Sequence, residues 1–107
     1  MAKHDKTFLD YDRKNDILYL YKQGKFKGNV EVGDFVLDFD KEKRVMGLEI
    51  LNASENLRNL GITKQILTQA TEAKLKSHQK NSSILISFVL SIAGKETPAL
   101  IAMPIGR

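Results

Sequence analysis

Asp34-Phe-Val-Leu-Asp-Phe-Asp40, followed by Lys41-Glu-Lys-Arg44 and then Val45-Met-Gly-Leu-Glu-Ile-Leu51, reads as a β-hairpin with one wholly apolar face. Period-two alternation puts Phe35, Leu37 and Phe39 on one side and Asp34, Val36, Asp38 and Asp40 on the other. On the return strand Met46, Leu48 and Ile50 alternate with Val45, Gly47, Glu49 and Leu51. A four-residue loop at Lys41–Arg44 sets Phe39 opposite Met46, Leu37 opposite Leu48 and Phe35 opposite Ile50. A three-residue loop slips the pairing by one and sets Phe35 against Glu49, which burial forbids. The hairpin therefore prefers the first register and acts as the nucleus of the core.

Upstream of it, Thr7–Asp12 reads as a strand and Arg13–Asp16 as a turn rich in Asn and Asp. Ile17–Tyr21 is apolar on both faces, which suits a central or covered strand. Lys22–Lys25 reverses the chain and Asn29–Val32 is a short strand. Up to Leu51 the pattern is an antiparallel meander of about five strands.

The period then changes. Asn52 and Glu55 have capping-box spacing, Ser54 is a second candidate cap, and Gly61 stands where helices commonly end. Thr63 is the next N-cap, with Ile62 and Leu67 at the places of a hydrophobic staple. That helix fades by Ala70. Thr71–Ser77 alternates at period two and reads as a charged edge strand, with a single helix over Thr63–Ser77 as the alternative. Ser83–Ala93 is the longest strand, its apolar face made of Ile84, Ile86, Phe88, Leu90 and Ile92. After Gly94-Lys95 the chain returns over Thr97–Ile105, where Pro98 and Pro104 favour an edge. The expected fold is α+β, mainly β, in one domain over residues 1–107, with Met1–Lys6 as a polar tail. Two sheets, or one strongly curved sheet, would bury both apolar hairpins together.

Composition narrows function by exclusion. The 107 residues contain no cysteine, so disulfides, thiolate metal sites and Cys nucleophiles are ruled out. The charged start has no apolar h-region, and the longest apolar run falls far short of the ~20 residues of a membrane span. These features point to a cytoplasmic protein with no membrane contact. Seventeen basic residues face thirteen acidic ones, and only four of the basic ones are Arg. Lysine in excess reads first as solubilising surface.

Candidate chemistry is sparse. Asp38, Asp40 and Glu49 share a strand face and are the candidate ligands for an oxygen-preferring cation, although solvated carboxylates explain them as well. Lys22, Lys25, Lys27, Lys74 and Lys76 are the candidate nucleic-acid contacts, with Phe26 as a stacking group. Lysine decoration of hairpin tips is the simpler explanation. His4 and His78 have no partner spacing. No serine stands in a nucleophile motif and no two glycines form a phosphate loop, so no catalytic residue and no cofactor is assigned.

Tyr11-Asp12, Asp16, Leu18-Tyr19, then Asp34, Val36, Asp38 and Asp40, and finally Gly47–Leu51 with Ala53-Ser54, resemble a prokaryotic family of small β-rich domains of unknown function. That pattern runs Tyr-Asp, a spaced Asp, Leu-Tyr, Asp-x-Asp and Gly-(Ile/Leu)-Glu-Ile-Leu-x-Ala-Ser. The resemblance covers residues 7–57 and leaves 63–107 as an addition. The family commonly has a Gly after Asp-x-Asp, where this chain has Lys41–Arg44. The resemblance implies no enzymatic activity, and some members look like the antitoxin half of toxin–antitoxin pairs. Tyr11, Asp12, Asp16, Gly47, Glu49 and Ser54 then read as structural motif positions: Asp12 and Asp16 shape the first turn, Gly47 relieves crowding, and Ser54 starts a helix. The surplus of apolar strand faces points to a partner, most simply a second copy in a homodimer, otherwise a small protein.

Overall fold

A computed structural model describes residues 6–104. Its strands are β1 (Thr7–Asp12), β2 (Ile17–Lys22), β3 (Gly28–Val32), β4 (Phe35–Phe39), β5 (Val45–Ile50), β6 (Glu72–Lys80), β7 (Ser83–Ile92) and β8 (Lys95–Pro104). Two short helices, α1 (Ala53–Asn56) and α2 (Lys64–Gln69), lie between β5 and β6 on either side of a 3-10 turn at Arg58–Leu60. The fold is thus α+β and mainly β, as the alternation requires. All eight strands join one antiparallel sheet in the order β3-β4-β5-β2-β1-β6-β7-β8.

Two strand placements differ from the expected ones. The first five strands are not paired strictly in chain order, because β2 lies beside β5 rather than β3. Leu18 pairs with Ile50 and Leu20 with Leu48, so the strand that is apolar on both faces occupies the sheet's middle. The arrangement of β2 to β5 is a Greek key. The segment from Gln23 to Lys27 makes the crossing past the end of β5. There Gly24 stands at φ 146, a conformation that favours glycine, with the movable end of Met46 2.7 Å from where a Cβ would be. The charged strand β6 is also not at an edge: it joins β1 to β7. Its contact with β1 is slight, one register pair (Thr7 with Ala73) and the Leu75 N–H donating to Thr7 Oγ1 at 3.1 Å. The edges are β3 and β8, and β8 carries both prolines as anticipated.

The organising hairpin keeps Phe35 opposite Ile50 and Leu37 opposite Leu48, but Phe39 faces Val45, not Met46. Asp40 N–H donates to Arg44 O, and Lys43 N–H donates back to Asp40 O, both at 3.0 Å. The loop is thus the three-residue one, Lys41 to Lys43, with Lys43 in the left-handed region at φ 66. A bulge at Asp38/Phe39 absorbs the slip that this loop would otherwise impose. Burial still decides the register: Leu37, Leu48 and Ile50 are wholly buried, and Val45 joins them.

The sheet curls on itself. Phe39 of β4 and Ile84 of β7, far apart in strand order, line one cleft. Leu18, Leu20, Leu37, Leu48, Phe88 and Met103 belong to one buried cluster drawn from both halves. Leu57, Ile62 and Leu67 add the helical segment to that cluster. At ~25 cal/mol per Å2 of apolar area, each such side chain contributes roughly 1.5–3 kcal/mol. The parts of the expected outline at Met1–Asp5 and Ile105 lie outside the described residues.

Candidate functional site

The motif positions of the first half converge on Asp16. The β1–β2 turn holds this residue at φ 57. Asp12 shapes the turn by accepting from the Asn15 N–H and Nδ2 at 3.1 and 2.8 Å. The Asp16 carboxylate accepts from Tyr11 Oη at 2.5 Å, from the Ser54 N–H at 3.1 and 3.2 Å, and from Ser54 Oγ at 2.8 Å. Its carbonyl accepts from the Ala53 N–H at 2.9 Å. Asp16 therefore caps α1 from a distant turn. The expected capping box is absent: Asn52 makes no side-chain cap bond and sits in the left-handed region, and Ser54 donates rather than caps. Thr63, by contrast, caps α2 as its spacing predicts, accepting from the Ile66 N–H at 3.2 Å.

Electrostatics follow from these bonds. Burial pushes the Asp16 carboxyl up, but hydrogen bonds from Tyr11 and Ser54 outweigh it and leave its pKa below the usual value. Burial and the Asp16 carboxylate together push the Tyr11 hydroxyl up. Every oxygen of this Tyr–Asp–Ser group is engaged in holding the turn to the helix.

A second group lies on the outer face of the first half. Tyr19 Oη donates to Asp38 Oδ2 at 3.3 Å, and burial with the Asp38 charge raises the tyrosine to about 12. Burial raises the Asp38 carboxyl, opposed by the Tyr19 bond. Tyr19 stacks on Tyr21, and Tyr21 on Phe8, at centroid separations of 4.7 and 5.3 Å. A Cβ on Gly47 would come 2.8 Å from Asp38 Oδ2, so the glycine makes room for this pair. Glu49 stands across from Tyr19 in register.

The three candidate cation ligands are not assembled into one site. Asp40 lies in the hairpin loop, where its carboxylate accepts from the Glu42 N–H and the Arg44 N–H and Nε, each at 2.9 Å. The Arg44 backbone bond, first among these, holds its pKa low. Among the described residues no group of three or more His, Asp or Glu side chains is placed to hold a metal ion. His78 is exposed on β6, and His4 lies outside the described residues.

The candidate lysines divide. Lys22 and Lys76 line one cleft of about 550 Å3 with Glu42, Lys43 and Arg44. Lys27 lines an adjoining cleft of about 520 Å3 with Lys41 and Lys43, over Val30, Phe39 and Ile84. Lys25 is exposed on the crossing segment, and Lys74 lies at the β1–β6 seam near Lys6. Sequence reasoning missed Lys43 and Arg44 as neighbours of Lys22 and Lys76, and Lys41 as a neighbour of Lys27. Only the curling of the sheet brings them together, and no local signal records it.

No helix among the described residues is long and apolar enough to cross a membrane. No solved structure matches the chain. An uncharacterized protein of Methanocaldococcus jannaschii is 47% identical over 51 residues, covering 47% of this chain and 44% of that protein. A putative hypoxanthine phosphoribosyltransferase of Methanosarcina mazei is 32% identical over 62 residues, covering 50% of each. The chain spans about half the length of the curated relatives it matches. The family resemblance drawn from the motif has its counterpart here: residues 9–54, which carry Tyr11, Asp16, Gly47 and Ser54, match the family described as protein of unknown function (DUF2283).

Proposed function

We propose that this chain is a non-enzymatic interaction domain of the cytoplasm that pairs with a second copy of itself through the outer face of β7 and β8. The observation that carries the reading is Leu100, which is 64% exposed on an edge strand. Register sets Leu100 opposite Ser87, with the apolar pairs Ala102–Leu85 and Pro98–Val89 on either side of it, on the face away from the core. Large apolar side chains grouped at a surface favour burial against a partner. Pro98 and Pro104 blunt the edge itself, so contact by the face is favoured over strand addition.

The motif supports the non-catalytic side of this reading. Tyr11, Asp16 and Ser54 are joined to one another, and each bond has an architectural use. The relative named a putative hypoxanthine phosphoribosyltransferase lends the chain no glycine-rich phosphate loop, since its glycines are dispersed. An antitoxin-like role, in which the same face masks a small partner protein, is the sharper form implied by the family resemblance.

Native mass spectrometry with light scattering tests the proposal. A dimer that Leu100→Glu converts to folded monomer supports it. A wild-type monomer, or a dimer indifferent to Leu100→Glu, overturns self-pairing through this face.

A further inference from the structure

We infer that the two adjoining lysine-lined clefts at the tip of the curled sheet form a binding groove for single-stranded nucleic acid. The groove is assembled from four places in the chain: the end of β2, the crossing segment, the β4–β5 loop and the outer end of β6. Its cations are Lys22, Lys27, Lys41, Lys43, Arg44 and Lys76, and its carboxylates are Asp40 and Glu42. Removing these from the chain's 17 basic and 13 acidic residues leaves eleven of each. The whole net charge of +4 is therefore accounted for at this one place, while the remainder of the chain is balanced. A localised excess of this kind is the electrostatic footprint of a polyanion site.

The pairing pattern sharpens the point. Arg44 engages both carboxylates, Asp40 at 2.9 Å and Glu42 at 2.6 Å. The five lysines pair with no carboxylate among the described residues. Lys43 lines both clefts, and it does so from a left-handed backbone position at φ 66 that glycine occupies more readily.

The choice of single-stranded nucleic acid rests on the floor of the groove. Val30, 37% exposed, and the half-buried Phe39 give the Lys27 cleft an accessible apolar floor, whereas Val45 and Ile84 lie buried beneath the lysines. Phe26, 43% exposed, precedes Lys27 in the chain and keeps its ring open to solvent. Lysine ammonium groups meet phosphates as point charges, and an apolar floor with an exposed aromatic ring receives unstacked bases. A duplex keeps its bases stacked and would leave the floor unused. Polyglutamate would engage the lysines and has no flat ring to lay on the floor or on Phe26.

The test is fluorescence anisotropy with a labelled oligothymidylate of about 12 nucleotides. Binding is expected at low salt, with log affinity falling against log salt at a slope of about −3, as four phosphates at roughly −0.7 each would give. Lys43→Gln with Lys76→Gln should weaken it about tenfold and flatten the slope by roughly one and a half. Lys95→Gln, at the opposite end of β7 and β8, should leave it unchanged, and Phe26→Ala should weaken binding without altering the slope. Circular dichroism verifies that each variant is folded. Absence of binding at low salt, indifference to the Lys43 and Lys76 changes, or equal competition by polyglutamate and by duplex would overturn the inference.

Discussion

The carboxylate of Asp16 caps the helix that begins beside Ser54, a residue 38 positions later in the chain. One side chain thus closes the β1–β2 turn, engages Tyr11 and supplies the acceptor that the start of α1 lacks in its own sequence.

Asp16→Ala removes all of these bonds at once and should destabilise the fold by about 2 kcal/mol, near the upper end for a lost cap. Ser54→Ala keeps the backbone bond and should cost about 1 kcal/mol. The Asp16 pKa is depressed in the folded state, so its contribution is fully present above the ordinary carboxylate range. It is lost as pH falls through the folded value. Urea melts across the acid range should show wild-type stability declining below about pH 4, and Asp16→Asn should shallow that decline.

Gly47 and Asp38 occupy opposite places on β5 and β4, and the missing side chain of one is the space used by the other. Gly47→Ala should destabilise by about 1–3 kcal/mol, as overpacking does. Asp38→Ala should recover part of that loss in the double variant, whereas additive losses would mean that the crowding lies elsewhere. Asp38→Asn alone should bring the Tyr19 titration down from about 12, which ultraviolet absorbance at high pH reads directly. The remaining elevation comes first from burial, with the Glu49 and Tyr21 charges adding to it.

The two helix starts separate a side-chain cap in sequence from one in space. Thr63→Ala removes the bond to Ile66 N and should cost about 1 kcal/mol in a thermal or urea melt. Glu55→Ala should cost within about 0.5 kcal/mol, because no capping box exists for it to complete. A loss at Glu55 equal to that at Thr63 would restore the box.

Where alternation and burial act together, the strands were legible residue by residue. Ile84, Ile86, Phe88 and Leu90 are the buried face of β7, and Leu18 and Leu20 that of β2. Asp12 bonds Asn15 within the first turn and Gly47 lies opposite Asp38, whereas the Asp16 bonds to Ser54 join distant segments. Illegible were the contacts made by distant segments. Nothing near Ser54 announces that its acceptor is Asp16, and nothing near Lys76 announces Lys43. The place of β6 was misjudged for a related reason: its charged outer face suits an edge, but Ala73 and Leu75 on the other face anchor it against the core.

The β4–β5 loop gives the last prediction. Phe35, Leu37 and their partners fix one register by burial, while the loop from Lys41 to Lys43 imposes another. The bulge reconciles them, and Lys43 at φ 66 is the residue on which the tight loop depends. A non-glycine residue there costs about 1 kcal/mol, so Lys43→Gly should stabilise the fold by roughly that amount in a urea melt. Lys43→Ala, which keeps the backbone penalty and loses only the side chain, should not. If Lys43→Gly is stabilising and also weakens oligothymidylate binding, the lysine is held at this position for its charge and against its backbone preference.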